Sequence, residues 1–109
     1  MYFKGEDKMN EFTVTLILNF KDGGMEHFMK AAKDPKNGLA KTQKWSGYKT
    51  IEFYGSETDK NQLILWERWE TKKDYESYLK MREETGFFDK LTPFFTKPPQ
   101  IIKQKFIQM

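Results

Sequence analysis

The chain has 109 residues, a net charge of +3 at pH 7 and no cysteine, which suits one small domain and excludes disulfides, thiolate catalysis and cysteine-ligated zinc. Its basic residues are spread along the sequence apart from mild clusters at Lys72–Lys73 and 97–105, so no charged stripe indicates a nucleic-acid partner. No apolar run approaches the ~20 residues of a membrane-spanning helix, and we expect a cytoplasmic protein.

The first predicted elements are a strand and a helix. Apolar and polar residues alternate from Phe12 to Phe20, which predicts a strand. An amphipathic helix follows, since apolar residues recur at i, i+3, i+4 and i+7: Met25, Phe28, Met29 and Ala32. Pro35 and Gly38 end or interrupt this helix, and a second short helical piece is predicted over 39–44.

Two further strands form a predicted hairpin. The first covers 48–54, with Ile51 and Phe53 on one side and four residues on the other: Tyr48, Thr50, Glu52 and Tyr54. A polar loop leads to the second, over 62–70. Its two faces are Leu63, Leu65, Glu67 and Trp69 on one side and Ile64, Trp66, Arg68 and Glu70 on the other.

The last elements are helical, followed by a strand. Thr71 is predicted to cap a helix over 72–83, with Asp74 as its capping-box partner. One face of this helix carries Tyr75, Tyr78, Leu79 and Arg82. Thr85-Gly86 ends it, and a short phenylalanine-rich helix around Pro93 precedes a final strand over 101–107.

The element order is therefore β-α-β-β-α-β. This order predicts an α+β ferredoxin-like sandwich over 12–109, with one antiparallel sheet and a flexible leader at 1–11. One face of the sheet is left without helices, and monomers rarely expose a large apolar patch. We therefore expect a homodimer in which the two sheets cover each other.

The sequence resembles the antibiotic-biosynthesis-monooxygenase domain of the dimeric α/β-barrel superfamily, most strongly over 63–102. The resemblance spans 12–107 and rests on Trp69-Glu70-Thr71, the Tyr/Leu-rich helix, Leu91 to Phe95, and Pro98-Pro99 before an apolar strand. That family includes cofactor-independent oxygenases of phenols and quinols, haem-degrading enzymes and proteins of unknown role. The resemblance implies a dimer, with a ligand pocket between the sheet and the helices of each subunit.

Three positions can be compared with the family pattern. Trp69 matches the strand-end Trp that lines the pocket in several members, and Glu67 matches an acidic residue often found two positions earlier. Tyr78 falls where many members carry a His, so the resemblance does not imply haem. The single His of the chain, His27, acquires no axial role from the family and is interpreted as a surface or boundary residue.

Two residues are candidate catalytic groups. Glu67 lies on a strand face that begins apolar, where desolvation would raise its pKa and make it a general base. The alternative is a carboxylate paired with a Lys or Arg, for example Arg82 or a cation across the dimer. Asn19 could orient a ligand carbonyl or hydroxyl, or it could be an ordinary turn residue at the strand end.

The candidate ligand-binding residues are mostly aromatic. Trp66 and Trp69 could stack on a ligand or pack in the core. Tyr75, Tyr78 and Arg82 could hold a phenolate or carboxylate, or fill the core with Arg82 extending to the surface. A wall for an apolar tail is predicted from Phe87, Phe88, Leu91 and Phe95. We predict no metal site and no cofactor.

Three functions remain open at this stage. The first is binding of a small hydrophobic or amphipathic molecule with an acyl or aromatic body and a polar or anionic head. The second is cofactor-independent oxygenation of a phenol-like or quinol-like substrate, with Glu67 or a Tyr as base. The third is a structural dimer with a filled interior, which an open cavity would oppose.

Overall fold

The computed structural model describes residues 11–109. Their elements are, in chain order, β1 (Phe12–Asn19), α1 (Gly24–Ala32), α2 (Leu39–Gln43), β2 (Tyr48–Gly55), β3 (Gln62–Trp69), α3 (Lys72–Glu84), α4 (Phe87–Leu91), a single 3-10 turn (Thr92–Phe94) and β4 (Gln100–Lys105). Residues 1–10 of the predicted leader lie outside this range. Within it, no helix has the length and apolar character needed to cross a membrane.

The strands form one antiparallel sheet in the order β2-β3-β1-β4. The buried side chains of β1 and β3 contact α1, α3 and α4, whose apolar faces cover one side of the sheet. The predicted α+β ferredoxin-like architecture is confirmed. β1 and β3 occupy the centre, so their alternation of side chains determines which residues face the helices.

Two groups of buried apolar side chains make up the core. One combines β1, β3, α1 and α4 through Leu18, Phe20, Phe28, Leu63, Leu65 and Leu91. The other combines β1, β3 and α3 through Phe12, Val14, Trp69, Tyr75 and Tyr78. Leu16 contacts both groups. The helices thus pack against the sheet at two separate places. A cavity lined by residues of both groups lies between them.

The ends of α3 follow the signals in the sequence. Asp74 donates its backbone N–H to Thr71 Oγ1 at 3.1 Å, so the predicted N-cap is confirmed. Its predicted partner Asp74 accepts from the Thr71 hydroxyl, through Oδ2 at 2.8 Å. Gly86 adopts a φ of +73° directly after the helix, a conformation that glycine accepts without a steric penalty. The sharp change of direction there lets α4 return across the sheet.

One prediction for β2 is wrong. The pairing of β2 with β3 shifts between Tyr48 and Thr50, which leaves Lys49 as an extra residue. A bulge of this kind reverses the alternation on one side of it. Tyr48 is therefore opposite Trp69 and packs edge-on against its ring at 5.9 Å, on the helix-covered face rather than beside Thr50. Lys49 points outward and pairs with Glu11 at 3.0 Å.

Candidate functional site

A cavity of about 310 Å³ lies between the sheet and the helices. Its lining is mostly apolar and comes from all four strands and all four helices. The lining includes Leu65 and Glu67 of β3, Thr42 of α2, Tyr75, Tyr78 and Arg82 of α3, and the phenylalanines of α4. A cavity of this size falls within the range of small-molecule sites.

Glu67 is the acidic group buried deepest in this lining. It is 4% exposed, and its Oε1 accepts a hydrogen bond from Trp69 Nε1 at 3.0 Å. Burial raises the pKa of Glu67 to about 7, and the bond from Trp69 opposes that rise only in part. No Lys or Arg between residues 11 and 109 forms an ion pair with it, so the paired-carboxylate interpretation finds no support within this range.

Tyr75 contributes a hydroxyl that has no hydrogen-bond partner within residues 11–109. The residue is 1% exposed and lines the cavity, yet its Oη forms no hydrogen bond with any residue of the described range. Burial, together with the nearby negative charge of Glu67, raises the pKa of Tyr75. The hydroxyl therefore stays protonated at neutral pH and is an available hydrogen-bond donor.

Arg82 is buried, and no carboxylate of residues 11–109 forms an ion pair with it. The residue is 2% exposed, and its guanidinium donates to Asn37 O at 2.6 Å, Gly38 O at 2.9 Å, Thr42 Oγ1 at 2.8 Å and Tyr78 Oη at 2.8 Å. These two carbonyl and two hydroxyl oxygens stabilise the guanidinium charge in place of a carboxylate. The network fixes the connection between α1 and α2 against α3, and it leaves Arg82 few free donors for a ligand.

Tyr78 belongs to the same network. Its hydroxyl also bonds to Thr42 Oγ1 at 2.7 Å, and burial raises its pKa although Thr42 and Arg82 act in the opposite direction. The ring lies 4.9 Å from that of Trp69. Tyr78 is therefore a fixed part of the wall, in contrast to Tyr75, whose hydroxyl is unused.

The predicted apolar wall comes together in the structure. Phe87, Phe88, Leu91 and Phe95 all line the cavity. The guanidinium of Arg82 lies 4.2 Å from the centre of the Phe87 ring, a cation–π arrangement that fixes one phenylalanine of the wall. The 3-10 turn after Leu91 then directs Phe95 back towards β1, where its ring lies 5.1 Å from Phe20.

Three predicted site residues lie elsewhere. Trp69 is fully buried, but it does not line the cavity; its ring is enclosed by tyrosines, and its contribution is the hydrogen bond to Glu67. Trp66 and Asn19 lie on the opposite face of the sheet, because strand side chains alternate. Asn19 Oδ1 accepts a bond from Gln62 there, so neither residue can act on a molecule held in this cavity.

Several lining residues were missed from the sequence. Ile51 and Phe53 of β2 and Leu39 and Thr42 of α2 line the cavity. The alternation of the first pair along a strand and the i, i+3 spacing of the second pair along a helix indicate in the sequence that each pair shares one face. The clustering of five lysines between 30 and 44 was also overlooked. His27 lies outside the lining and stacks on Phe94 at 4.2 Å. No cluster of three or more potential metal ligands occurs within residues 11–109.

The strands, the helices and the space between them define a ferredoxin-like α+β domain with a cavity between its sheet and its helices. No protein-family model matches the sequence, and a search of curated proteins gives no match. Solved structures do match. A conserved protein from Methanosarcina mazei superposes with a TM-score of 0.81 at 17% identity, covering 93% of this chain and 97% of the other.

Two further matches are described as monooxygenases, and one of them carries the name of the family that the sequence resembles. A putative antibiotic biosynthesis monooxygenase from Nitrosomonas europaea has a TM-score of 0.77 at 15% identity, over 98% of this chain and 96% of that one. The monooxygenase ActVA-Orf6 of Streptomyces coelicolor, solved with nanaomycin D, has a TM-score of 0.72 at 12% identity and the same coverage. The resemblance to antibiotic biosynthesis monooxygenase domains is thus confirmed as a resemblance of fold.

The raised pKa of Glu67 predicts a pH-dependent stability. In the unfolded chain this carboxyl has its ordinary pKa of 4.5, against about 7 in the folded protein. Between these values the folded state binds the extra proton, so the free energy of unfolding falls as the pH rises through this window. Glu67→Gln removes this dependence. Between about pH 5 and about pH 8, the free energy of unfolding of Glu67→Gln should rise relative to that of wild type by on the order of 1–3 kcal/mol.

Urea denaturation across this pH range measures the effect. The matched control is Glu57→Gln, which changes an exposed carboxylate in the β2–β3 loop and should follow the wild-type curve. Parallel pH dependences for Glu67→Gln and wild type would show that the carboxyl is not held neutral in the fold.

Proposed function

We propose that the chain binds a small hydrophobic or amphipathic molecule in this cavity, with an acyl or aromatic body and a polar head directed at Tyr75 and Glu67. The observation that carries the proposal is the unpartnered Tyr75 hydroxyl, buried in the wall of an open cavity. Leaving such a group unsatisfied costs about 1–3 kcal/mol, a cost that a ligand oxygen accepting from Tyr75 would offset.

The rest of the lining supports the same ligand class. Leucine, isoleucine and phenylalanine side chains surround the polar end, and burial of an apolar body against them is favourable by roughly 25 cal/mol per Å². Glu67 complements Tyr75, because one of its oxygens is bonded to Trp69 and the other has no hydrogen bond within residues 11–109. The buried positive charge of Arg82 favours a head that is neutral or anionic over a cation.

A pair of probes tests the hydroxyl contact. We expect wild-type protein to bind 1-naphthol more tightly than naphthalene, which has the same ring system without the hydroxyl. Tyr75→Phe should reduce this preference by about fivefold, the effect of one hydrogen bond, and should leave naphthalene binding unchanged. Isothermal titration calorimetry measures the affinities.

The matched control is Tyr54→Phe, since Tyr54 is 52% exposed on β2 and lies outside the cavity lining. Tyr75→Phe should fold normally, because removing an unsatisfied buried hydroxyl costs little. Equal binding of both probes by wild type would contradict the hydrogen bond from Tyr75. No binding of either probe would contradict the proposal and leave a structural dimer as the better interpretation.

A second candidate function is cofactor-independent oxygenation of a phenol-like substrate. It is favoured by the pKa of Glu67, which at about 7 suits a general base at neutral pH. Glu67 would take the phenolic proton, and the phenolate would supply the electrons that reduce oxygen. One phenol and one O₂ then give one quinone and one water. One structural neighbour is described as a cofactor-independent oxygenase from Streptomyces nogalater.

This candidate predicts oxygen uptake with naphthol and anthrol substrates. Glu67→Gln should lower the rate by about 100-fold or more, because the glutamine amide cannot accept the proton, while Glu57→Gln should leave it unchanged. An oxygen electrode follows uptake, and the quinone product is followed by its absorbance. If 1-naphthol binds but no substrate of the panel consumes oxygen above the uncatalysed rate, the protein is a binding module.

We also propose a homodimer that forms through the sheet face without helices, in a protein located in the cytoplasm. The register places Ile17 opposite Ile64, and Thr15 between Trp66 and Ile102. The apolar members of this group lie together at the centre of that face, namely Ile17, Ile64, Trp66 and Ile102. A symmetric dimer would remove them from water, as the resemblance to dimeric α/β barrels also suggests.

Light scattering after size exclusion tests the dimer. Wild-type protein should have twice the chain mass of 13.1 kDa, and Ile17→Lys should have the mass of a single chain because it places charges face to face. Ser77→Lys, which changes an exposed position on α3, is the control and should remain dimeric. A wild-type protein with the mass of one chain at micromolar concentration would contradict the proposal.

A further inference from the structure

One segment of the sequence, residues 30–44, carries a net charge of +4. Residues 30–44 contain five lysines and one acidic residue, Asp34, whereas the rest of the chain has a net charge of −1. Asp34 Oδ1 accepts the backbone N–H of Lys36 at 3.0 Å, so part of its carboxylate is used within its own turn. A local excess of this kind creates a positive potential around α2.

Three of these lysines converge on one groove. A depression of about 230 Å³ beside α2 is lined by Pro35, Lys36, Ala40, Lys41, Lys44 and Trp45. No carboxylate is among these lining residues, and the lysines form no ion pair within residues 11–109. None of the six lines the larger cavity, so the groove is a separate site.

Trp45 gives the groove a fixed aromatic side. Its indole is half-buried and meets the Tyr78 ring at 6.3 Å with an interplanar angle of 67°. Its backbone N–H donates to Thr42 O at 3.0 Å. The indole therefore has the Tyr78 ring on one side, and as a lining residue of the groove it can pack against a flat ring there.

We propose that this groove binds a small organic anion that carries a flat ring. The ammonium groups of Lys36, Lys41 and Lys44 pair with its acidic groups, and the ring packs against Trp45. A concave groove of this volume suits a single ring better than a large, flat macromolecular surface. The charges are solvent-exposed, so affinity is modest and decreases with added salt.

The test uses benzene-1,3-disulfonate, with resorcinol as the neutral probe of the same ring. Two-dimensional NMR of the ¹⁵N-labelled protein follows the indole N–H of Trp45, which is assigned with Trp45→Phe. The disulfonate should shift this signal in a saturable manner, and resorcinol should not. The variant Lys41→Gln/Lys44→Gln should weaken the affinity by about fivefold.

The matched control is Lys72→Gln/Lys73→Gln, which removes the same charge from an exposed pair on α3 and should retain wild-type affinity. Equal weakening by both double variants would show a response to net charge alone and overturn the proposal. Binding of resorcinol as tight as that of the disulfonate, or no shift at Trp45, would also overturn it. Tyr75→Phe should not change the result, which separates this site from the cavity.

Discussion

The position of β3 between β1 and β2 is the constraint on which the site depends. Both edges of β3 are bonded to neighbours, so its side chains cannot rotate to the other face without breaking the sheet. Glu67 is consequently held under the helices together with Leu65 and Trp69. An isolated carboxyl in such a place is costly to ionise, and the Trp69 indole supplies the one hydrogen bond that it forms within residues 11–109.

The opposite wall of the cavity depends on Arg82. Its four hydrogen bonds connect α3 with the segment between α1 and α2, and its contact with Phe87 adds α4. A buried guanidinium needs several oxygens at fixed positions, which makes this wall specific. These oxygens accept the hydrogen bonds of the guanidinium. The polar groups that remain for a ligand are therefore those of Tyr75 and Glu67.

Much of the fold could be predicted from local patterns. Alternation gave β1 and β3, and the Thr71–Asp74 capping box placed the start of α3. The bulge at Lys49 could not be predicted, because no glycine or proline marks it and only the pairing with β3 reveals it. Of the candidate site, the helix face with Tyr75 and Arg82 followed from periodicity. The partners of Arg82 did not, because they are backbone carbonyls that tertiary packing brings near.

The absence of a carboxylate beside Arg82 has a consequence for the interior as a whole. Within residues 11–109, Glu67 and Arg82 are the fully buried side chains that can carry charge. The guanidinium of Arg82 is a cation, whereas burial raises the pKa of the Glu67 carboxyl to about 7. The buried charge of the domain is therefore +1 on the acidic side of neutrality and zero on the alkaline side, so a modest acidification turns a neutral interior into one that attracts anions.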